Sequence, residues 1–292
     1  MAQSPAHKFG QIIGDLLEAA IHPLLRDFAQ RNDLYLDVKG PRSARPGKKV
    51  SWTDLYGNKH DLDFVLERNG SDEKIGIPVA FIETAWRRYT KHSRNKAQEI
   101  QGAIMPLIST YRDAAPFFGV VLAGVFTEGA LTQLRSRGFA VLYFQYDTVV
   151  SAFRSVGIDA SFDEDTPESV FTEKVRRWEA LSHEQKETVA KSLIELNSSK
   201  VDQFIEKLQN AVNRYITRII ILPLHGSSLR CDTVDQAIKF IEEYNEDDGK
   251  KPVVKYEIEI RYSNQDTIKG EFTTKEEAVR FLNSYQSPFV ID

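Results

Sequence analysis

GIPVAFIETAWRRYTKHSRNKAQEIQ, running from Gly76 to Gln101, is the stretch on which the fold turns. Ile77, Val79, Phe81 and Ile82 make an apolar strand that runs straight into a carboxylate, Glu83. A helix is expected from Trp86 to about Tyr111, with Tyr89, Ala97, Ile100, Ile104, Leu107 and Ile108 on its apolar face. Its first turns would then carry Arg87, Arg88, Lys91, Arg94 and Lys96. A carboxylate at the end of a buried strand, with a cationic helix start beyond it, suits a metal ion on one side and a phosphate chain on the other.

Upstream, Lys8 to Gln30 carries apolar residues with the period of an amphipathic helix, and Pro23 is expected to kink or split it. Gln11, Gly14, Asp15, Glu18 and His22 fall on the opposite face. Leu34 to Val38 reads as a short strand, followed by the basic loop Lys39 to Lys49, a candidate phosphate contact through Arg42, Arg45, Lys48 and Lys49. Val50 to Asp54 and Lys59 to Glu67 flank a turn and form a β-hairpin. Asp61 and Asp63 interrupt the β-favouring run of its second strand, and such local violations mark surfaces or sites.

Downstream, Phe117 to Phe126 and Phe139 to Phe144 read as strands covered on both faces, with a short helix, Glu128 to Arg137, between them. The alternation predicts an α/β sandwich with a mixed central sheet over residues 1–148. A helical connector over residues 149–215 follows, with helices at Val170 to Leu181 and Glu184 to Tyr215, the second capped by Ser182 and Gln185. Residues 216–292 hold a duplication: Thr233 to Tyr244 matches Thr274 to Tyr285 in its Thr, Ala, Phe and Tyr positions, and a strand precedes each copy. Two ββα units make a small α+β domain there.

The 292 residues carry a net charge of -4, which argues against indiscriminate coating of nucleic acid but leaves room for a local basic cleft. A lone cysteine, Cys231, excludes a disulfide framework and a Cys-rich zinc site and favours the cytoplasm. No apolar run reaches the roughly 20 residues of a membrane helix. Neither a P-loop nor a dinucleotide fingerprint occurs, so no nucleotide cofactor is expected.

Glu18, Asp63 and Glu83 are oxygen donors of the kind that hold Mg²⁺, with Mn²⁺ as a substitute; Asp61 is the alternative to Asp63. Helix-borne Glu18, Asp63 in HDLDFVLE and Glu83 in VAFIETAW, set in an αβββαβ order, resemble the PD-(D/E)XK nuclease superfamily, the fold of many type II restriction endonucleases. The resemblance covers about Lys8 to Phe144. It implies a metal-dependent DNA endonuclease in which Asp63 and Glu83 ligate the ion and Glu18 supplements them. Where the family places lysine, two residues after the glutamate, this chain has Ala85, so Lys91 or Arg87 from the following helix is expected to take over. Arg87, Arg88, Arg94 and Lys96 would then hold the DNA backbone together with the basic loop, and cutting both strands of a duplex implies a homodimer. The competing readings are a repair or anti-phage effector nuclease and a DNA-binding module without catalysis.

Overall fold

The structure is a computed structural model that describes residues 4–90, 93–112, 114–224, 227–246 and 255–286. The chain divides into two compact units, Met1–Leu208 and Gln209–Asp292.

The first unit opens on helix α1 (Pro5–Arg31), with Ser4 as its cap accepting from the His7 N–H. Pro23 neither splits nor ends it. Both Pro23 and Ala19, whose carbonyl loses its donor, are exposed, so water can take the orphaned acceptor. A mixed sheet of five strands follows, in the order β1 (Leu34–Val38), β4 (Phe64–Arg68), β5 (Ile77–Arg87), β6 (Phe117–Gly124) and β7 (Ala140–Gln145). The first three are antiparallel and the last three parallel. Strands β2 (Val50–Thr53) and β3 (Lys59–Leu62) pair only with each other and form a hairpin outside that sheet.

On one face of β5 lies α1, where Trp86 meets Gly10 and His22 stacks on Phe64. On the other lie α2 (Ser93–Thr110) and α3 (Glu128–Ser136), whose Ala97, Ile100, Ile104 and Leu134 share one buried cluster with Val65, Phe81, Ala85 and Val120. Helices α4 (Tyr146–Arg154), α5 (Glu168–Glu179) and α6 (His183–Glu195) complete the α1 side, with Phe9 against Phe153, Phe162 and Phe171. Residues 149–208 therefore belong to this compact unit and pack on α1 and α4 rather than standing apart as a connector.

Three expected element boundaries move, the first being the hairpin strand expected from Lys59 to Glu67, which divides at Asp63 into β3 and β4 of different sheets. Strand β5 continues four residues past Glu83, because Glu83 through Arg87 pair in register with Val120 through Gly124, and helix α2 starts only at Ser93. Arg87 is thus a strand residue and Arg88 follows the strand, so neither lies in a helical first turn. The long final helix is two, α6 and α7 (Ser198–Val212). Asn197 breaks it: its buried amide donates to the Leu193 carbonyl while its own carbonyl accepts from Lys200 and Val201 N–H groups. The capping box of Ser182 and Gln185 forms as read.

The second unit is a four-stranded sheet in the order β11 (Thr267–Phe272), β10 (Tyr256–Tyr262), β8 (Ile216–Pro223) and β9 (Leu229–Cys231), with α8 (Val234–Glu243) and α9 (Lys275–Asn283). Thr233 and Thr274, the first residues of the repeated motif, cap these helices in the same way, accepting from Gln236 N and Glu277 N.

Candidate active site

Asp63 is the single residue between β3 and β4, where the chain leaves the hairpin and joins the main sheet. Register fixes its neighbours. Phe64 lies opposite Ile82 on β5 and opposite Val38 on β1, so one step further Asp63 falls between Glu83 and Lys39. Asp63 and Glu83 thus lie one residue beyond the last pair of the β4–β5 ladder, Phe64 and Ile82, and Lys39 lies one residue beyond Val38 at the end of β1.

Thr84 fixes Asp63 by donating its backbone N–H and its hydroxyl to Oδ2, at 2.7 and 2.8 Å. The Asp63 backbone N–H favours the charged form of the Glu83 carboxyl. Glu83 Oε2 is buried and has no hydrogen-bond partner. A buried acceptor without a donor costs about 1–3 kcal/mol, more when charged.

Electrostatics tie the third carboxylate to the pair. Burial pushes Glu83 up from 4.5 to about 8, helped by Asp63 and, more weakly, by Glu18, while Lys96 opposes the shift. Burial likewise raises Glu18 to about 7, followed by the charges of Asp63 and Asp15, with Lys39 opposing. Asp63 thus acts on both of the other carboxylates, and each of those also feels the charge of a lysine from a different element, Lys39 after β1 for Glu18 and Lys96 on α2 for Glu83. Neither lysine had been singled out for that place. In the sequence Lys39 is one residue of a basic loop and Lys96 reads as one of several phosphate contacts, because the action of its charge on Glu83 is tertiary.

As the side chains stand, no three His, Cys, Asp or Glu residues among those described converge closely enough to enclose a metal ion. Mg²⁺ does not need three: it commonly takes one or two carboxylates and keeps several waters. Asp63 and Glu83 are such a pair, all-oxygen and with one unpartnered atom, and Glu18 is placed to supplement them. Asp61, the alternative, is exposed and engaged by Lys49 at 2.5 Å and by the Ser51 hydroxyl, so it is not a member of the group. Lys91 lies outside the described residues. Ala85 is buried under α2, with 6 % exposure.

The expected DNA contacts separate into two classes. Arg42 and Arg45 are buried, which corrects their reading as phosphate contacts. Arg42 Nη1 bonds Glu67 Oε1 at 2.6 Å and pairs with Asp37 at 2.9 Å, Arg45 Nε meets Asp37 at 3.0 Å, and Arg42 also binds the carbonyls of Ser71 and Lys74. They clamp loops to β1 and β4 and present no charge to solvent. Arg88 is also committed, donating to the Asp163 carbonyl and lying over the rings of Tyr89, Phe162 and Phe171. Arg94 and Lys48 are exposed, and Lys49 is exposed beside Asp61. Arg87 is half-buried, with its guanidinium on the Trp86 carbonyl and 3.5 Å from Glu99, which also lies 3.5 Å from Lys96. Arg87, Asn95 and Glu99 line a cleft of about 710 Å³ with His7, Gly10 and Gln11 of α1.

Among the described residues no helix is long and apolar enough to cross a membrane. The crystal structure of a protein of unknown function, AF1548, aligns with 65% of this chain and 99% of its own at 10% identity. The TM-score of that alignment is 0.30, which carries no argument about fold or activity. No protein-family model and no curated protein matches the sequence.

Proposed function

We propose that the chain is a Mg²⁺-dependent endonuclease that hydrolyses phosphodiester bonds in double-stranded DNA, with a PD-(D/E)XK-like centre formed by Asp63, just before β4, and Glu83 on β5. The observation that carries the reading is the buried, unpartnered Glu83 Oε2, with Asp63 held on the adjoining Thr84 and the charges of Asp63 and Lys96 both acting on Glu83.

Asp63 and Glu83 would hold the ion, with Glu18 as a supplementary ligand, and Mn²⁺ could substitute. A cation there supplies charge neutralisation at the phosphate and a more acidic water. Asp63 keeps its orientation through Thr84. Lys96 takes the place that Ala85 cannot fill: its ammonium, next to Glu83, would orient the attacking water and offset charge on the phosphoryl oxygens. Arg87 is less suited because its guanidinium is held by the Trp86 carbonyl. Exposed Arg94, Lys48 and Lys49 remain as backbone contacts, and two copies related by a two-fold axis would cut the two strands.

Ala85 favours a second reading, a DNA-binding module derived from the nuclease fold that no longer cuts. Incubation of plasmid and phage DNA with Mg²⁺ or Mn²⁺, beside Asp63→Ala, Glu83→Ala and Lys96→Ala, separates the two. Discrete fragments lost in all three variants are expected. Binding without cleavage under either metal would support the module, and neither binding nor cleavage would sink the DNA reading.

A further inference from the structure

The β2–β3 hairpin ends in Asp54-Leu55-Tyr56-Gly57-Asn58, and its tip is built rigid. Asp54 is 6 % exposed, and its Oδ1 accepts from the backbone N–H groups of Tyr56 and Asn58, each at 2.9 Å. Its Oδ2 takes Asn58 Nδ2 at 3.0 Å and His60 Nε2 at 2.9 Å. Gly57 supplies the left-handed φ of +84° that closes the turn. From outside, Thr110 Oγ1 of α2 accepts from Leu55 N at 2.9 Å, and Trp52 packs edge-on to Phe81 and Tyr111.

What this scaffold presents is apolar. Tyr56 is 87 % exposed and Leu55 68 %, the two most exposed large hydrophobic side chains among the described residues. Single exposed apolar residues are ordinary. An adjacent pair held out on a turn locked by five side-chain hydrogen bonds, counting that from Thr110, is different. Such a tip gains nothing in the isolated chain from being both rigid and apolar. Below it Lys48, Lys49 and Lys59 are exposed, while of the hairpin's two acids Asp54 is buried and Asp61 is engaged by Lys49. Basic flanks below an apolar wedge match a phosphate backbone beside stacked bases.

We infer that the β2–β3 hairpin is a DNA wedge: Tyr56 and Leu55 enter the stack of the duplex while Lys48 and Lys59 grip the adjoining phosphates. The inference rests on the nuclease reading and names how that enzyme engages its substrate. Lys59–Leu62 joins Asp63 directly, so at about 3.4 Å per residue the tip stands roughly 15–20 Å from the carboxylates. That reach is about five base pairs along a duplex.

The test uses the full chain and a duplex of about three helical turns carrying 2-aminopurine, with binding and fluorescence read in EDTA and cleavage read in parallel in Mg²⁺. Wild type is expected to bind and to raise the 2-aminopurine signal by unstacking. Leu55→Ser/Tyr56→Ser should bind about ten- to a hundredfold more weakly and lose that signal at an unchanged salt slope, while Tyr56→Phe keeps both. Lys48→Ala/Lys59→Ala should instead reduce the salt slope by about two. The wedge is overturned, with the nuclease reading left standing, if wild type binds and cuts DNA and the double serine variant does so equally well. It is also overturned if that variant changes self-association in sedimentation rather than DNA affinity. Wild type that neither binds nor cuts removes the nuclease reading and the wedge with it.

Discussion

Replacing Glu83 by Gln tests the candidate centre through stability alone, without knowledge of the substrate. The glutamine keeps the shape and removes the charge. Glu83 titrates near 8 in the folded protein against 4.5 when exposed, through burial and then Asp63. The folded state thus binds the extra proton throughout that window, and stability falls as pH rises from 4.5 to 8. At 1.36 kcal/mol per pH unit the fall reaches about 5 kcal/mol above pH 8 and about 3 kcal/mol at pH 7. Glu18, raised to about 7, adds a smaller term because solvent screens its half-exposed side chain. The assay is urea unfolding in EDTA at pH 5, 7 and 8.5, followed by tryptophan fluorescence. Trp52, Trp86 and Trp178 all lie in the first unit, so the signal reports that unit alone. Glu83→Gln should match wild type at pH 5 and exceed it by about 3–5 kcal/mol at pH 8.5. Wild-type and variant stabilities that run parallel across this range would refute a charge-strained Glu83.

Divalent-cation binding should strengthen with pH between about 7 and 8, since an ion displaces the protons held by Glu18 and Glu83; calorimetry in two buffers of different ionisation enthalpy reads the proton release. Lys96→Ala should lower single-turnover cleavage by about 10²–10³ with DNA affinity within about threefold, whereas a parallel loss of affinity would make Lys96 only a backbone contact. Arg42→Ala should destabilise the first unit by about 3–5 kcal/mol in urea melts, because Asp37 and Glu67 would be left buried without their cation. Its DNA binding should keep the wild-type salt slope, and a reduced slope would restore Arg42 as a phosphate contact.

What could be read in the chain was periodic or local. The apolar face of α1, the buried runs of β5 and β6 and the repeated Thr caps of α8 and α9 depend on residues within a few positions of each other. Asp63 and Glu83 stand out because each interrupts such a pattern, whereas Glu18 fits the polar face of its helix and is marked by the family resemblance. Misplacements came from contacts that local composition does not carry. Arg87 looked helical beside its basic neighbours, but pairing with β6 extends the strand through it. Arg42 and Arg45 looked solvated in a basic loop, yet Glu67, 25 residues from Arg42, draws that guanidinium inside with Asp37. Lys96 could be weighed as a partner of Glu83 only once α2 had been packed over β5.

Asp63 belongs to neither the hairpin nor the main sheet, since β3 ends one residue before it and β4 begins one residue after. The main-sheet side is fixed by Thr84 and by the register of β4, so the carboxylate's position does not depend on how long the hairpin is or what its tip carries. Insertions and substitutions at the exposed tip, Leu55 to Asn58, can therefore accumulate in descendants while the acidic pair stays where it is. The joint lets one chain vary what it touches without redesigning where it reacts.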